Sequence, residues 1–217
     1  MEIGMYLPDN FKETDVGVLH DTIRRIKLGT LVTFGPAGLV ASHVPMLIDP
    51  EPAPFGTLSG HVARANPHWR EASSDTPALA IFLGPNTYVS PSAYATKRKT
   101  GKVVPTWNYV AVHAYGPVKF YDDADRLLQL VTRLTDTHEA GRPNRWHVSD
   151  APADYTRGML KAIVGFELPI AQLEGKWKMN QNRPAEDVPG IVDALSHEGD
   201  AAAEVARIVA EQNKDRR

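Results

Sequence analysis

Phe55-Gly56-Thr57-Leu58-Ser59-Gly60-His61-Val62-Ala63-Arg64-Ala65-Asn66-Pro67-His68-Trp69 is the stretch around which the rest of the chain is organised. Its first third, Phe55 to Ser59, reads as a strand. The remaining residues set one guanidinium, two imidazoles and an amide where that strand meets a helix start. An asparagine side chain accepts readily from the backbone donors that open a helix, and proline suits the first helical position, so Asn66 and Pro67 mark a short helix. Arg64 stands just upstream. A guanidinium fork beside the N–H groups of a helix start forms a cradle for a phosphate. The same residues also describe an ordinary strand-to-helix corner with a solvated arginine, and the segment alone does not separate the two readings.

On the N-terminal side, Thr14 is expected to cap a helix in which Val16, Leu19, Ile23 and Ile26 recur at helical spacing. Gly29 to Phe34 and Leu39 to Ile48 then predict a β-hairpin about the turn Gly35-Pro36-Ala37-Gly38. Asp49 to Pro54, with three prolines, reads as a connecting loop. On the C-terminal side, Ala78 to Leu83 predicts a buried strand broken by Gly84-Pro85. A polar, basic loop runs from Thr96 to Lys102, and Thr106 to Phe120 predicts the longest strand. Asp122 or Asp123 starts a helix carrying Leu127, Leu130, Val131 and Leu134. A further helix near Pro152 to Ala162 leads into a strand from Ile163 to Leu173, and a helical tail spans Asp200 to about Asn213.

Short strands with helices before, between and after them predict a mainly β fold with helices, a small β-barrel with helical additions. A doubly wound sheet is disfavoured, because strict strand–helix alternation and a Gly-rich dinucleotide or P-loop fingerprint are both missing.

The 217 residues carry a formal charge of −2, so no global basic field draws the chain to nucleic acid or anionic membrane. The absence of cysteine excludes disulfides, thiolate zinc sites, iron–sulfur clusters and a thiol nucleophile. The start, Met1 to Asn10, lacks the basic and apolar regions of a signal peptide, and no run approaches the ~18 apolar residues of a membrane span, so a cytoplasmic location and no membrane contact are expected. His43, His61, His68, His113, His138 and His147 form no supported metal-ligand spacing, so no metal is expected. No serine sits in a G-x-S-x-G elbow.

Three further segments concentrate aromatic and polar groups: Gly84 to Tyr94, Val104 to His113, and Leu173 to Arg183. A flat aromatic ligand with a phosphate tail needs π or apolar surfaces for its faces, directional donors at its rim and a cation for the tail. The chain supplies these in separate segments. Taken singly, Trp69, Trp107, Trp146 and Trp177 read as core or interface anchors; taken together, they favour a ligand.

The phrases His61-Val62-Ala63-Arg64-Ala65-Asn66-Pro67, Gly84-Pro85, Tyr88-Val89-Ser90-Pro91-Ser92, Pro105-Thr106-Trp107-Asn108-Tyr109 and Leu173-Glu174-Gly175-Lys176-Trp177-Lys178 resemble, in this order, the PaiB family, described as FMN-binding negative transcriptional regulators. Met5-Tyr6-Leu7-Pro8 and Phe11 are similar to its usual opening, so the resemblance runs from residue 5 to about residue 195. Ala93 departs from it, standing where the family often has tryptophan.

The resemblance implies an FMN-binding split β-barrel related to the pyridoxamine-phosphate oxidases, and a homodimer with FMN at the subunit interface. It divides the chain into a split-barrel domain with helical additions, 1–197, and a C-terminal helical tail, 198–217. It implies that Ser42, His43 and Val44, in the strand Ala41 to Pro45, lie along the flavin ring. Ser59, His61, Arg64 and Asn66 would gather around the phosphate. Trp107 and Asn108 would close the site from the second subunit, and Lys176 and Trp177 would contribute from the C-terminal strand.

Three functions are compatible with these residues. One is the family's negative transcriptional regulation. A second is an FMN-dependent oxidoreductase acting on a small molecule, where Lys176, Lys178 or Arg183 would stabilise the reduced, anionic flavin. The third is a flavin-binding module with a structural or scavenging role. No residue presents itself as a catalytic proton donor. Direct DNA binding is not expected, because the only dense basic cluster is Lys97-Arg98-Lys99 with Lys102.

Overall fold

A computed structural model describes residues 4–73 and 75–216. In chain order the helices and strands are β1 (Lys12–Glu13), α1 (Val16–Ile26), β2 (Leu28–Gly35), β3 (Gly38–Asp49), β4 (Thr57–Ala63), α2 (His68–Glu71) and β5 (Ala78–Val89). They continue with α3 (Ala95–Thr100), β6 (Thr106–Gly116), β7 (Lys119–Tyr121), α4 (Ala124–Glu139), α5 (Ala153–Leu160), β8 (Ile163–Pro169), β9 (Gln172–Lys178), α6 (Val188–Ser196) and α7 (Asp200–Gln212). Two compact units share these elements. The first comprises Met1–Leu19, Leu83–Val112 and Glu174–Arg217; the second comprises His20–Phe82 and His113–Leu173.

In the second unit the strands hydrogen-bond in the order β5-β2-β3-β4-β8-β7, and every pairing whose register is described is antiparallel. Alternation sorts their side chains. Leu31, Val44, Met46, Ile48, Leu58, Val62, Ala80, Phe82, Phe166 and Leu168 point into the core and are buried. Gly60 is required there, since a Cβ at that position would fall 2.7 Å from the Phe166 ring. Asp123 accepts a hydrogen bond from the Arg126 N–H at 2.9 Å and starts α4, which buries Leu127, Leu130 and Leu134.

The opposite side of the β2–β3–β5 portion has a different character. Leu28 and Phe34 of β2 and Leu39 of β3 stay exposed, and Val32, Leu79 and Ile81 share their face with incomplete cover.

In the first unit the strand order is β1-β9-β6-β5, and the C-terminal helices α6 and α7 complete the unit. Val205, Ala206 and Val209 of α7 are buried, as are Ile191 and Leu195 of α6.

Several sequence expectations are corrected. The cap of α1 is Asp15, which accepts from the Val18 N–H at 3.1 Å, rather than Thr14, whose own N–H donates to Glu13. β5 is not broken at Gly84-Pro85 but runs on to Val89, because a proline removes only one ladder donor. Thr106 to Phe120 is two strands. Pro117 lacks an N–H, and a Cβ on Gly116 would fall 2.0 Å from the Pro169 carbonyl oxygen, so the chain turns at that crossing. Ile163 to Leu173 likewise divides into β8 and the start of β9. The basic loop contains a helix, α3, despite its run of like charges. Asp187 anchors that helix by accepting from the Thr96 N–H and hydroxyl, each at 2.9 Å. Helix α6 is an addition that the hydrophobic pattern did not reveal.

Candidate polar site on strand β4 and the Arg64 corner

Strand β4 turns Leu58, Gly60 and Val62 to the core and Ser59 and His61 to the opposite face. Ser59 Oγ and His61 Nδ1 are buried and have no hydrogen-bond partner among the described residues. A buried polar atom without a partner costs about 1–3 kcal/mol, so two of them on one face of one strand point to a polar ligand. Burial lowers the His61 pKa, which keeps the ring neutral near pH 7. His61 faces a cavity of about 240 Å³, lined also by Val131 and Thr135 of α4, by Trp146, and by Tyr155 and Met159 of α5.

Just past the strand, Arg64 Nε donates to the Lys161 carbonyl at 2.7 Å and a terminal nitrogen donates to that of Ile163 at 3.2 Å; Asp122 lies 3.4 Å from the other. Its guanidinium lines a second cavity, about 420 Å³, together with Arg157, Lys161 and Asp122. Leu160 lines both cavities. Three cations against one carboxylate suit a doubly charged anion. Sequence reasoning missed Arg157, Lys161 and Tyr155, and had Trp146 only as one of four tryptophans that together favour a ligand. The spacing of Arg157 and Lys161, one helical turn apart, was the available signal, but it gains meaning only once α5 lies beside Arg64.

The corner itself is locked by a polar network. Asn66 Oδ1 accepts from the His68 N–H at 3.0 Å, so Asn66 satisfies the first donor of α2 as the sequence predicts, but Pro67 stands at the cap position rather than at the first helical one. Its Nδ2 donates to Ser42 Oγ at 2.9 Å. Ser42 Oγ lies 2.8 Å from His68 Nδ1, and Thr33 Oγ1 lies 2.9 Å from His68 Nε2. His68 is fully buried, which lowers its pKa and leaves a neutral ring with one donor and one acceptor for the two hydroxyls. The Trp69 indole N–H donates to the Arg64 carbonyl at 3.1 Å, and the Arg70 guanidinium stacks 4.5 Å from the Trp69 ring. The Asn66 N–H donates to Ala63 and the Arg70 N–H to Pro67, and α2 is only four residues long. The helix-start donors offered by the sequence are therefore largely used internally, and anion binding here depends on cationic side chains.

Of the other expected ring contacts in this unit, Val44 is buried in the core. His43 stands on the outer face, where its Nδ1 lies 2.8 Å from Thr30 Oγ1 of the paired strand.

The remaining expected residues lie in the first unit. Trp107 is half exposed, donates from its indole nitrogen to Asn86 Oδ1 at 3.1 Å and meets Tyr88 edge-on. Asn108 is fully buried; its Nδ2 donates to Asn180 Oδ1, while its own Oδ1 has no partner among the described residues. Lys176 is buried, with its ammonium donating to the Tyr6 carbonyl at 2.6 Å and lying 5.5 Å from the Tyr109 ring. Trp177 is buried beside it in β9. Lys178 donates to the Trp107 carbonyl at 2.7 Å and to Thr106. Burial first, and the Lys176 charge second, lower the Lys178 pKa. Asn108, Lys176 and Trp177 thus belong to the interior of their unit, whereas Trp107 and Lys178 reach its surface.

Among the described residues, no group of three or more histidine, aspartate or glutamate side chains is placed to hold a metal ion, and no helix is long and apolar enough to cross a membrane.

Comparison with known proteins agrees with this architecture. A family model described as "Putative FMN-binding domain" matches residues 5–172. An uncharacterized protein of Aspergillus fumigatus is 34% identical over 257 residues, covering 98% of this chain and 97% of its own length. Protease synthase and sporulation protein PAI 2 of Bacillus subtilis is 30% identical over 194 residues, 89% of this chain and 90% of that protein. Among solved structures, a FAD and heme binding protein from Mycobacterium smegmatis superposes with a TM-score of 0.55 at 18% identity, over 77% of this chain and 73% of that one. At that identity the likeness concerns the fold, which is that of the split-barrel flavoproteins.

Proposed function

This chain belongs to the PaiB family, whose FMN-binding domain matches residues 5–172, and on that premise we propose that it binds FMN on the outer face of β4 and at the Arg64 corner. The observation that carries the assignment is the pair of buried, unpartnered atoms Ser59 Oγ and His61 Nδ1, three to five residues ahead of a guanidinium. The donor set fits the cofactor. Arg64, Arg157 and Lys161 supply positive charge for the phosphate, His61 supplies a polar contact, and Trp146 and Tyr155 supply aromatic surface; the buried Ser59 hydroxyl stands on the same face of β4 without lining either cavity. FMN, when bound, supplies one- and two-electron redox chemistry. The chain's part is to hold it, keep the His61 ring neutral and limit the access of water.

The uncovered apolar face carrying Leu28, Phe34 and Leu39 supports a homodimer formed through this surface. We assign the protein a regulatory role of the PaiB type that acts through the state of its flavin or through a partner rather than by direct reading of DNA. The net charge of −2 supports this, as does α3, where Lys99 is already paired with Glu186 and Lys97 bonds to Ser92. An oxidoreductase is the second reading, favoured by Lys178, a cation of lowered pKa held on the backbone carbonyl of Trp107, whose side chain is half exposed.

The absorbance spectrum of the purified protein tests the shared premise, and anaerobic addition of NAD(P)H separates the readings. Flavin bands that bleach rapidly favour the enzyme, and bands that persist favour the regulator. No flavin bound after loading with excess FMN refutes both.

A further inference from the structure

A cavity of about 350 Å³ in the second unit shares no lining residue with the cavities at His61 and Arg64. Its walls are the C-terminal end of α1 with Arg24 and Lys27, and one face of α4 with Arg133, Asp136 and His138; its floor is Met46 to Ile48 of β3. Most of this charge cancels. Arg24 pairs with Asp21 at 2.7 Å, Arg133 with Asp49, and Asp136 with Arg145 at 2.9 Å. The Lys27 ammonium and the His138 ring have no hydrogen-bond or ion-pair partner among the described residues. The cavity therefore presents one uncompensated positive charge, one free imidazole and an apolar floor.

The backbone adds an independent observation. Lys27 has φ +64°, in the left-handed region, where its N–H donates to the Ile23 carbonyl and its carbonyl accepts from the Met46 N–H, each at 2.9 Å. That helix-ending position favours glycine or asparagine, and a side chain with a Cβ is strained there. A lysine is thus held where the fold alone favours glycine, with its ammonium left unpaired at a cavity.

We propose that this cavity is a second anion site, for the phosphate of a small phosphomonoester, with Lys27 as the charge partner and a ring N–H of His138 as a hydrogen-bond donor. The volume suits a ligand of that size, and the apolar floor covers a short carbon body. A phosphomonoester carries between one and two negative charges near pH 7, matching a site of low net positive charge.

Titration calorimetry of the full-length, FMN-loaded protein with glycerol 3-phosphate tests this, with glycerol as the uncharged control. Binding of the ester, without release of FMN, is expected in the parent. Lys27→Met should weaken it by about 10–100-fold, the loss of one charged hydrogen bond. Lys27→Gly should weaken it equally while leaving the melting temperature unchanged or higher, since the backbone prefers glycine there. Three results would overturn the proposal: no ester binding above the glycerol control, undiminished binding in Lys27→Met, or displacement of FMN by the ester. The last would make the cavity part of the flavin site. A lower melting temperature in Lys27→Gly would be a fourth, showing that the lysine serves the fold instead.

Discussion

Replacing His68 by leucine tests whether the buried network holds the Arg64 corner. Leucine fills most of the ring volume, so the loss is chiefly polar. Two hydrogen bonds disappear, to Thr33 at 2.9 Å and Ser42 at 2.8 Å, and Thr33 is left buried at 3% exposure. A net bond contributes about 1 kcal/mol, and an orphaned buried hydroxyl costs about 1–3 kcal/mol, giving roughly 3–5 kcal/mol in all. For a chain of this length the melting temperature should fall by about 6–20 °C. Affinity for FMN should fall too, because Ser42 and Asn66 lose the ring that fixes the loop ahead of Trp69. His68→Gln, which keeps one donor and one acceptor, should lose less than half as much.

The wild-type pH profile gives a second readout. The folded His68 pKa lies below its value of about 6.5 in the unfolded chain, so below that pH the unfolded state binds more protons. Its contribution is fully present above about pH 6.5 and is lost as pH falls through 6.5 toward the lowered value, by up to about 1.4 kcal/mol per pH unit. His61 acts in the same sense. The leucine variant should show a shallower acid limb. A variant that melts within about 2 °C of the parent and keeps its FMN affinity would refute the network's role.

Three further outcomes are expected. Arg64→Ala should weaken FMN about 10–100-fold in titrations while leaving riboflavin, which lacks the phosphate, nearly unchanged; equal weakening of both ligands would make Arg64 structural. Paired Phe34→Glu and Leu39→Glu substitutions on the exposed β2–β3 face should halve the mass seen by light scattering without unfolding the chain. Asp187→Asn should cost about 3 kcal/mol in urea denaturation and open α3 to trypsin after Lys97, Arg98 and Lys99. Burial alone would raise the Asp187 pKa, but the Thr96 bonds and Arg183 outweigh it and hold it below the ordinary aspartate value of 3.8, so this contribution persists above pH 4 and fades only as pH falls below that value.

The sequence by itself determined the elements whose signals are local. The hairpin followed from the turn at Gly35-Pro36-Ala37-Gly38, α4 from Asp123 and the 3.6-residue recurrence of Leu127, Leu130 and Leu134, and the capping role of Asn66 from the proline after it. Five phrases in order along the chain were enough for the family, since each preserves residue types that neither propensity nor alternation demands. Elements set by contacts distant in sequence were not legible. Gly116 ends β6 because a carbonyl 53 residues away, on Pro169, occupies the space of a Cβ, and the Lys97-Arg98-Lys99 run is helical because Asp187 holds its first turn. The same limit applied to the site. His68 looked like one histidine among several until the fold enclosed it between Thr33 and Ser42, and Arg157 and Lys161 came to line one cavity with Arg64 only through the packing of α5. Periodicity reports which face of an element is apolar; it does not report which distant side chain that face will meet, and burial, pKa and partnership all arise from that meeting.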